Sequence, residues 1–226
     1  MKGERAVVLF SGGLDSTTVL YLARSQGYHL YCLIFAYGQR HRKEIRAAQK
    51  IARLNKLPYK IVKINLPWTK SSLIAGKKKI PSFSVRRKNI PSTYVPGRNT
   101  IFLSYALSLA ESIGAKKIFI GANSIDFSGY PDCRPAYYYA WQKVLKALDT
   151  RIKIVAPLLK MSKARIIQLG SKLGVPYHLT WSCYRGGKNP CGLCDSCHWR
   201  QQGFQEAGRS DPLKYQHVAG TVSRNF

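Results

Sequence analysis

Hydrophobic positions along the chain fall into short unbroken runs separated by helical stripes. Residues 5–10 (RAVVLF) and 29–36 (HLYCLIFA) are nearly continuous apolar runs of strand length, as expected of strands covered on both faces. Residues 40–55 instead place Ile45, Ala48, Ile51, Ala52 and Leu54 on one face with basic residues between them, which predicts an amphipathic helix. The same reading predicts helices over 15–26, 100–113, 136–148 and 196–207, with Ser162 capping another that runs to about 173. Further strands are predicted over 59–64, 116–121 and 152–156. Strands alternating with helices predict an α/β fold on a parallel sheet. From 65 to 99 the pattern breaks into Lys, Pro and Ser, and a loop of that length in a compact domain predicts a functional or partly mobile segment.

With 226 residues, 45% of them hydrophobic, the chain can bury one substantial core. We expect a main domain over 1–180, a smaller metal-binding subdomain over 181–215, and an extension over 216–226 with no assigned role. No apolar run approaches the ~20 residues that span a bilayer, and no signal-peptide layout is present. The expectation is therefore a cytoplasmic protein without a membrane partner. The 37 Lys and Arg against 10 Asp and Glu give a formal charge of +27, a surface that attracts polyanions. Apart from Lys77-Lys78-Lys79 and Arg86-Arg87-Lys88 the basic residues are dispersed, and no nucleic-acid module is recognisable. Direct nucleic-acid binding is not the favoured reading.

The first strand runs straight into SGGLDS, residues 11–16, and a helix begins there. Paired glycines allow the sharp turn that gathers backbone N–H groups around an anion. The helix start adds free N–H groups and the positive end of its dipole. No lysine lies between Gly3 and Arg24, which excludes the common nucleotide-hydrolase loop, and the third glycine of the dinucleotide fingerprint is missing. What remains resembles the SGGxDS loop of the ATP pyrophosphatases, which split ATP into AMP and pyrophosphate while adenylating a substrate.

Four of six cysteines are grouped as Cys183, Cys191, Cys194 and Cys197. The spacing C-x7-C-x2-C-x2-C lets four thiolates converge, and favours one tetrahedral zinc in a closed structural site. An iron–sulfur cluster is the chemical rival and a redox pair a weaker one.

Further tracts follow the other predicted strands: PSTYVPGRNTIFL (91–103), GANSIDFSGYPDCRP (121–135), Ser162-Lys163, and LTWSCYRGG (179–187) ahead of CGLCDSC. Loops at the carboxyl ends of parallel strands gather around one ligand crevice. Together the tracts closely resemble the QueC family, the 7-cyano-7-deazaguanine synthases, in register from Arg5 to about Tyr215. The resemblance implies a Rossmann-like domain with helices on both faces of the sheet, one bound zinc, and a homodimer. It also implies an ATP-dependent carbon–nitrogen ligase of queuosine biosynthesis, with 7-carboxy-7-deazaguanine, ammonia and ATP with Mg2+ as its reactants.

Transferred residue by residue, the resemblance puts ATP on Phe10, Ser11, Gly12, Gly13, Leu14, Asp15, Ser16, Thr17 and Thr18, with Arg98 and Asn99 beside it. Asp15, Ser16 and Lys163 are the catalytic candidates: Asp15 to position the loop or a magnesium ion, Lys163 as a cation on the pyrophosphate. A solvated lysine at a helix start is the plain alternative for Lys163. Asp126, Tyr130, Asp132, Cys133 and Arg134 are the candidates for the deazapurine pocket, with Arg134 on the substrate carboxylate. Asp132 could instead set a turn, and Cys133 could be a small buried hydrophobe. Ala136 and Arg165 stand where the family commonly has acidic residues.

Three other readings share these features. A tRNA-modifying ATP pyrophosphatase would suit the basic surface, although thiolation needs sulfur-carrying cysteines beyond Cys32 and Cys133. A QueC-like ligase acting on a protein in a defence system would keep the fold and change the acceptor. A zinc-ribbon nucleic-acid-binding protein would lack catalysis.

Overall fold

A computed structural model describes residues 3–74, 78–84, 89–124 and 129–217. Lys77, Arg86, Arg87, Lys88 and Asp126 lie outside the described residues. Five parallel strands form one sheet: β1 (Arg5–Leu9), β2 (His29–Ala36), β3 (Tyr59–Lys63), β4 (Lys117–Ile120) and β5 (Lys153–Val155). Their order is β3-β2-β1-β4-β5. The unbroken apolar runs are explained by burial on both faces. Val7 and Leu9 belong to one apolar cluster, while Ala6, Val8 and Phe10 belong to the other.

Helices α3 (Arg98–Ser112) and α4 (Pro135–Ala147) cover the first face through Leu103, Ala106, Tyr138, Trp141 and Leu145. Helices α1 (Leu14–Ser25), α2 (Lys43–Leu54) and α5 (Lys163–Lys172) cover the second through Val19, Leu20, Ile45, Ile51, Ile166 and Ile167. Helix α6 (Asp195–Glu206) packs on α5, and Phe204 joins the second cluster. The four grouped cysteines belong to the first cluster. The fold is thus the Rossmann-like α/β arrangement expected.

From β1 the chain winds outward through β2 and β3, then crosses back to β4 and β5 on the other side. The winding direction therefore reverses between β1 and β4, and such a reversal opens a crevice at the carboxyl ends of the two strands.

Between β3 and α3 the described residues form no named helix or strand, yet Leu66, Leu73, Ile80 and Val95 are buried. Phe83 N donates to Leu193 O at 2.8 Å and its ring stacks on His198, so this stretch lies over the cysteine tract. Helix α2 begins at Lys43 rather than at 40. Gly38 has φ +84, Gln39 bridges Ile74, and Arg40 N donates to Leu73 O at 3.1 Å. These contacts hold residues 38–40 out of the helix.

Candidate active site

A cavity of about 310 Å³ occupies the crevice. At its floor is the SGGLDS loop. Gly12 has φ +76, and a Cβ on it would lie 2.4 Å from Ala48 N and 2.6 Å from Glu44 O. Only glycine lets the loop lie this close against α2. Gly121 at the end of β4 is just as confined, because a Cβ there would lie 2.8 Å from Ser16 N. Gly13 is the N-cap of α1 and offers no side chain.

The loop amides are served instead by hydroxyls at long range. Ser11 N donates to Ser16 Oγ at 3.3 Å, Gly13 N to Ser11 Oγ at 3.3 Å, and Leu14 N to Ser182 Oγ at 3.4 Å. Bonds this long are weaker than the usual backbone bond, so an anion's oxygens can replace them at little cost. The dipole of α1 favours the same charge.

The C-terminal tract is held onto the loop by the Leu14 N bond to Ser182 Oγ and by one backbone bond. Trp181 N donates to Gly12 O at 2.9 Å. Behind it Arg200 Nη1 donates to Thr180 Oγ1 at 2.6 Å, while its other nitrogens grip Asp211 at 2.7 and 2.9 Å.

Phe10, Ser11, Gly13, Leu14, Asp15, Ser16, Arg98, Asn99, Tyr130, Cys133 and Lys163 all line the cavity. Gly12, Thr17, Thr18, Asp132 and Arg134 do not. Thr17 Oγ1 donates to Gly13 O at 2.7 Å and Thr18 Oγ1 to Leu14 O at 3.0 Å. Both threonines are fully buried and bond backward into α1.

Lys163 is not a solvated lysine. It is buried at the start of α5, and its ammonium meets both carboxylate oxygens of Asp15 at 2.7 and 2.8 Å. The Asp15 carboxylate is therefore paired with a lysine from the head of α5.

Arg98 opens α3, where Gly97 provides the left-handed N-cap. Its guanidinium lies 5.7 Å from the Tyr37 ring centre and 6.0 Å from that of Tyr130. Burial would lower the guanidinium pKa, yet Tyr37, Tyr130, Asp132 and Cys133 raise it on balance. Tyr130 is itself fixed by donating to Thr93 Oγ1 at 2.7 Å.

Asp132 has a different place from the one expected. It is 4% exposed, and its Oδ2 accepts from Asn99 N at 3.2 Å. It thus supplies to α3 the cap that Gly97 cannot. Burial raises its carboxyl, against the pull of Arg98 and of the Asn99 amide. Asn99 returns a bond to Asp132 O at 3.2 Å and reaches Cys133 Sγ at 3.7 Å. Arg134 is exposed and is absent from the cavity lining, which Arg40, Arg98 and Arg200 share.

Tyr37, Arg40, His41 and Glu44 also line the cavity, and pattern reading missed them. The signal was available. They follow the carboxyl end of β2, where ligand-contacting loops of such sheets lie.

Cys183, Cys191, Cys194 and Cys197 are all buried, with their sulfurs within 4.8 Å of one another. Cys191 and Cys197 Sγ are 3.9 Å apart, close to the ~3.8 Å edge of a tetrahedron with metal–sulfur bonds of about 2.3 Å. Cys191 N donates to Cys183 Sγ at 3.3 Å, and Leu193 N and Cys194 N both donate to Cys191 Sγ at 3.4 Å. Backbone amides aimed at sulfur stabilise thiolates, so the set fits one metal ion. It is too compact to surround a multi-iron cluster.

Two solved structures share this fold. A U34-tRNA thiolase, NcsA from Methanococcus maripaludis with its 4Fe-4S cluster, matches at a TM-score of 0.52 and 17% identity, covering 100% of this chain and 79% of that one. A 4-thiouridine synthetase in an RNA complex with bound ATP matches at 0.51 and 19%, covering 91% of this chain and 50% of that one. At such identity the likeness is one of fold alone.

Sequence relatives are far nearer. The 7-cyano-7-deazaguanine synthase of Thermoplasma volcanium is 48% identical over 230 residues, 99% of this chain and 95% of that protein. The synthases of Thermoplasma acidophilum and Trichodesmium erythraeum are each 50% identical, over 96% and 92% of this chain and 94% and 99% of those proteins. Residues 5–208 match the family described as queuosine biosynthesis protein QueC. The chain, with its SGGLDS loop, its GYPDCRP tract and its four-cysteine knuckle around one crevice, belongs to the QueC family of 7-cyano-7-deazaguanine synthases.

Proposed function

We propose that the protein converts 7-carboxy-7-deazaguanine and ammonia to 7-cyano-7-deazaguanine at the expense of ATP. The observation that carries this reading is one cavity shared by the phosphate loop and the Arg98–Tyr130–Cys133 wall, in a chain whose relatives bear that enzyme's name.

A carboxylate resists attack by ammonia, so its oxygen must first be made a leaving group. Attack of the substrate carboxylate on the α-phosphorus gives an acyl-adenylate and pyrophosphate. The loop amides of residues 11–16, with the hydroxyls of Ser11 and Ser16, are placed to stabilise the charge developing on that pyrophosphate. Ammonia then adds to the acyl carbon, and AMP leaves with its electron pair and one carboxylate oxygen. A second adenylation of the amide oxygen lets a second AMP carry the last oxygen away, leaving the C≡N bond.

Arg98 is suited to hold the substrate carboxylate in line with the α-phosphorus, since a guanidinium pairs with carboxylates in two parallel bonds. Lys163 holds Asp15 at the head of the loop, and its ammonium would be a hydrogen-bond donor near the departing pyrophosphate. We assign a structural zinc to Cys183, Cys191, Cys194 and Cys197, because four thiolates leave no open position for a reactant. When bound, the ion would fold the knuckle whose neighbouring tract, through Trp181, holds the phosphate loop.

Incubating the purified protein with ATP, Mg2+, ammonium and 7-carboxy-7-deazaguanine tests the reading by mass spectrometry. Amide formation followed by loss of one water to the nitrile is expected. ATP turnover that ignores the deazapurine acid would reject it.

A further inference from the structure

We propose that Glu44 is the ammonium-binding group of this cavity and takes the proton that ammonium must lose. The inference rests on the function proposed above and deepens it.

Glu44 lies in the first turn of α2 and lines the cavity. Its backbone abuts the phosphate loop, since a Cβ on Gly12 would come within 2.6 Å of the Glu44 carbonyl oxygen. Among the described residues its carboxylate accepts no hydrogen bond and forms no ion pair. The titratable groups facing it are Arg98 from α3, Tyr37 from the end of β2, and Tyr184 and Cys183 from the C-terminal tract. Arg98 favours the ionised form of Glu44, but burial outweighs it and lifts the carboxyl to about 7.

A glutamate in a first helical turn has an ordinary use, to complement the helix dipole. That use needs no place in a cavity wall, whereas Glu44 is half-buried beside Arg98, Tyr37 and Tyr184, and a carboxylate partly withdrawn from water without a partner is costly. The other acids around the site are engaged: Asp15 with Lys163, Asp132 with Asn99 N, and Asp195 electrostatically with His198. Glu44 is the carboxylate whose partner is still to arrive.

The cavity also carries Arg40, Arg98, Lys163 and Arg200 against Asp15 and Asp195, a net positive lining that suits ATP and a carboxylate substrate and disfavours a cation. Ammonia, only about tenfold less basic than an alkylamine, is almost wholly ammonium at neutral pH. It needs one anion in this wall to enter and one base to become a nucleophile. Ammonium bound to Glu44 gives the carboxylate one proton, and the freed nitrogen lone pair forms the C–N bond. The C–O bond to AMP then breaks, AMP keeps that electron pair, and the nitrogen loses a second proton to solvent. Glu44 sheds its proton before the next ammonium binds.

The test compares wild type with Glu44→Gln in two assays. One is acid-dependent ATP–pyrophosphate exchange without ammonium, and the other is kcat/KM for ammonium. Removing a general base typically costs ~10²–10⁴-fold. We expect the variant to lose at least about 10²-fold in kcat/KM for ammonium at neutral pH, and far less in exchange. The deficit should shrink as pH rises and free ammonia becomes abundant. Hydroxylamine, which is mostly uncharged at neutral pH, should react nearly as well with the variant as with wild type. Equal losses in exchange and in ammonium use, or a deficit that neither pH nor hydroxylamine relieves, would overturn the proposal. Wild-type protein without acid-dependent exchange would overturn both this inference and the function beneath it.

Discussion

Lys163 Nζ holds both carboxylate oxygens of Asp15, at 2.7 and 2.8 Å, across the junction of α5 and α1. Its stem lies against Gly203 of α6, where a Cβ would come within 2.2 Å of Lys163 Cγ. Three helices thus fix one ammonium beside the phosphate loop. Leaving Asp15 unpaired in this partly buried place should cost about 1–3 kcal/mol. We expect Lys163→Met to lower the melting temperature and to slow adenylation by ~10²-fold or more, as loss of a positioned charge does. A double-mutant cycle with Asp15→Asn measures the coupling. Additive effects would show that the pair does not act as a unit.

Gly12 and Gly121 separate backbone strain from crowding. Gly12→Ala forces a side chain into φ +76 and against Ala48 N, so it should both destabilise the fold by ~1–3 kcal/mol and abolish nucleotide binding. Gly121→Ala has no such dihedral penalty, but it presses on Ser16 N at 2.8 Å. It should raise the KM for ATP with a smaller loss of stability. Urea unfolding and ATP titration together distinguish the two outcomes.

The sheet was legible because its strands are buried on both faces, which leaves unbroken apolar runs such as HLYCLIFA. The phosphate loop and the knuckle were legible because their chemistry is local: adjacent glycines, and cysteines with two residues between them. Asp132 was not, since its partner is the amide of Asn99, 33 residues earlier, and such a cap leaves no spacing signal. Glu44 escaped for a similar reason. As one polar residue at the start of an amphipathic helix it looks solvated, and its environment is set by Arg98, Tyr37 and Tyr184 from three other segments. The burial of Leu66, Leu73, Ile80 and Val95 was not legible because they are too widely spaced to show a period.

From the sequence Arg134 was the candidate for the substrate carboxylate and Arg98 a residue beside the nucleotide, and their surroundings now set them apart. Arg98 lines the cavity between Tyr37 and Tyr130, whereas Arg134 is exposed. Arg98→Ala should therefore raise the KM for the deazapurine acid by ~10-fold or more, in line with a lost charge-assisted pair of about 1.5–3 kcal/mol. Arg134→Ala should change it by less than about twofold. Steady-state kinetics on both variants decides between them. The reverse order would return the carboxylate to Arg134.

Stripping the metal should unfold more than the knuckle. The cysteines share an apolar cluster with α3 and α4, and Trp181 just ahead of them bonds Gly12. Chelation of the bound ion, or Cys194→Ala, should lower the melting temperature and weaken ATP binding together, because folding and metal affinity are linked. Metal analysis should give one ion per chain in the wild type and in Cys133→Ala, and none in Cys194→Ala. An unchanged ATP affinity after complete metal removal would contradict the coupling.

Glu44 should also leave a mark on stability. Its carboxyl is raised from 4.5 to about 7 by burial, so the folded state binds that proton more tightly than the unfolded chain. Below pH ~4.5 both states are protonated and no penalty exists; as pH rises toward ~7 the unfolded state ionises first and stability falls. At about 1.4 kcal/mol per pH unit the loss is at most about 3 kcal/mol. Asp132 is shifted in the same sense, and His41 and His198, both lowered by burial, act in the opposite one. The difference between wild type and Glu44→Gln cancels those contributions. Urea unfolding of both proteins in the metal-bound state, at several pH values across that window, should show the wild type losing stability relative to the variant as pH increases. Parallel curves would mean that this carboxylate finds solvent or a cation in the folded protein and is not held neutral by its surroundings.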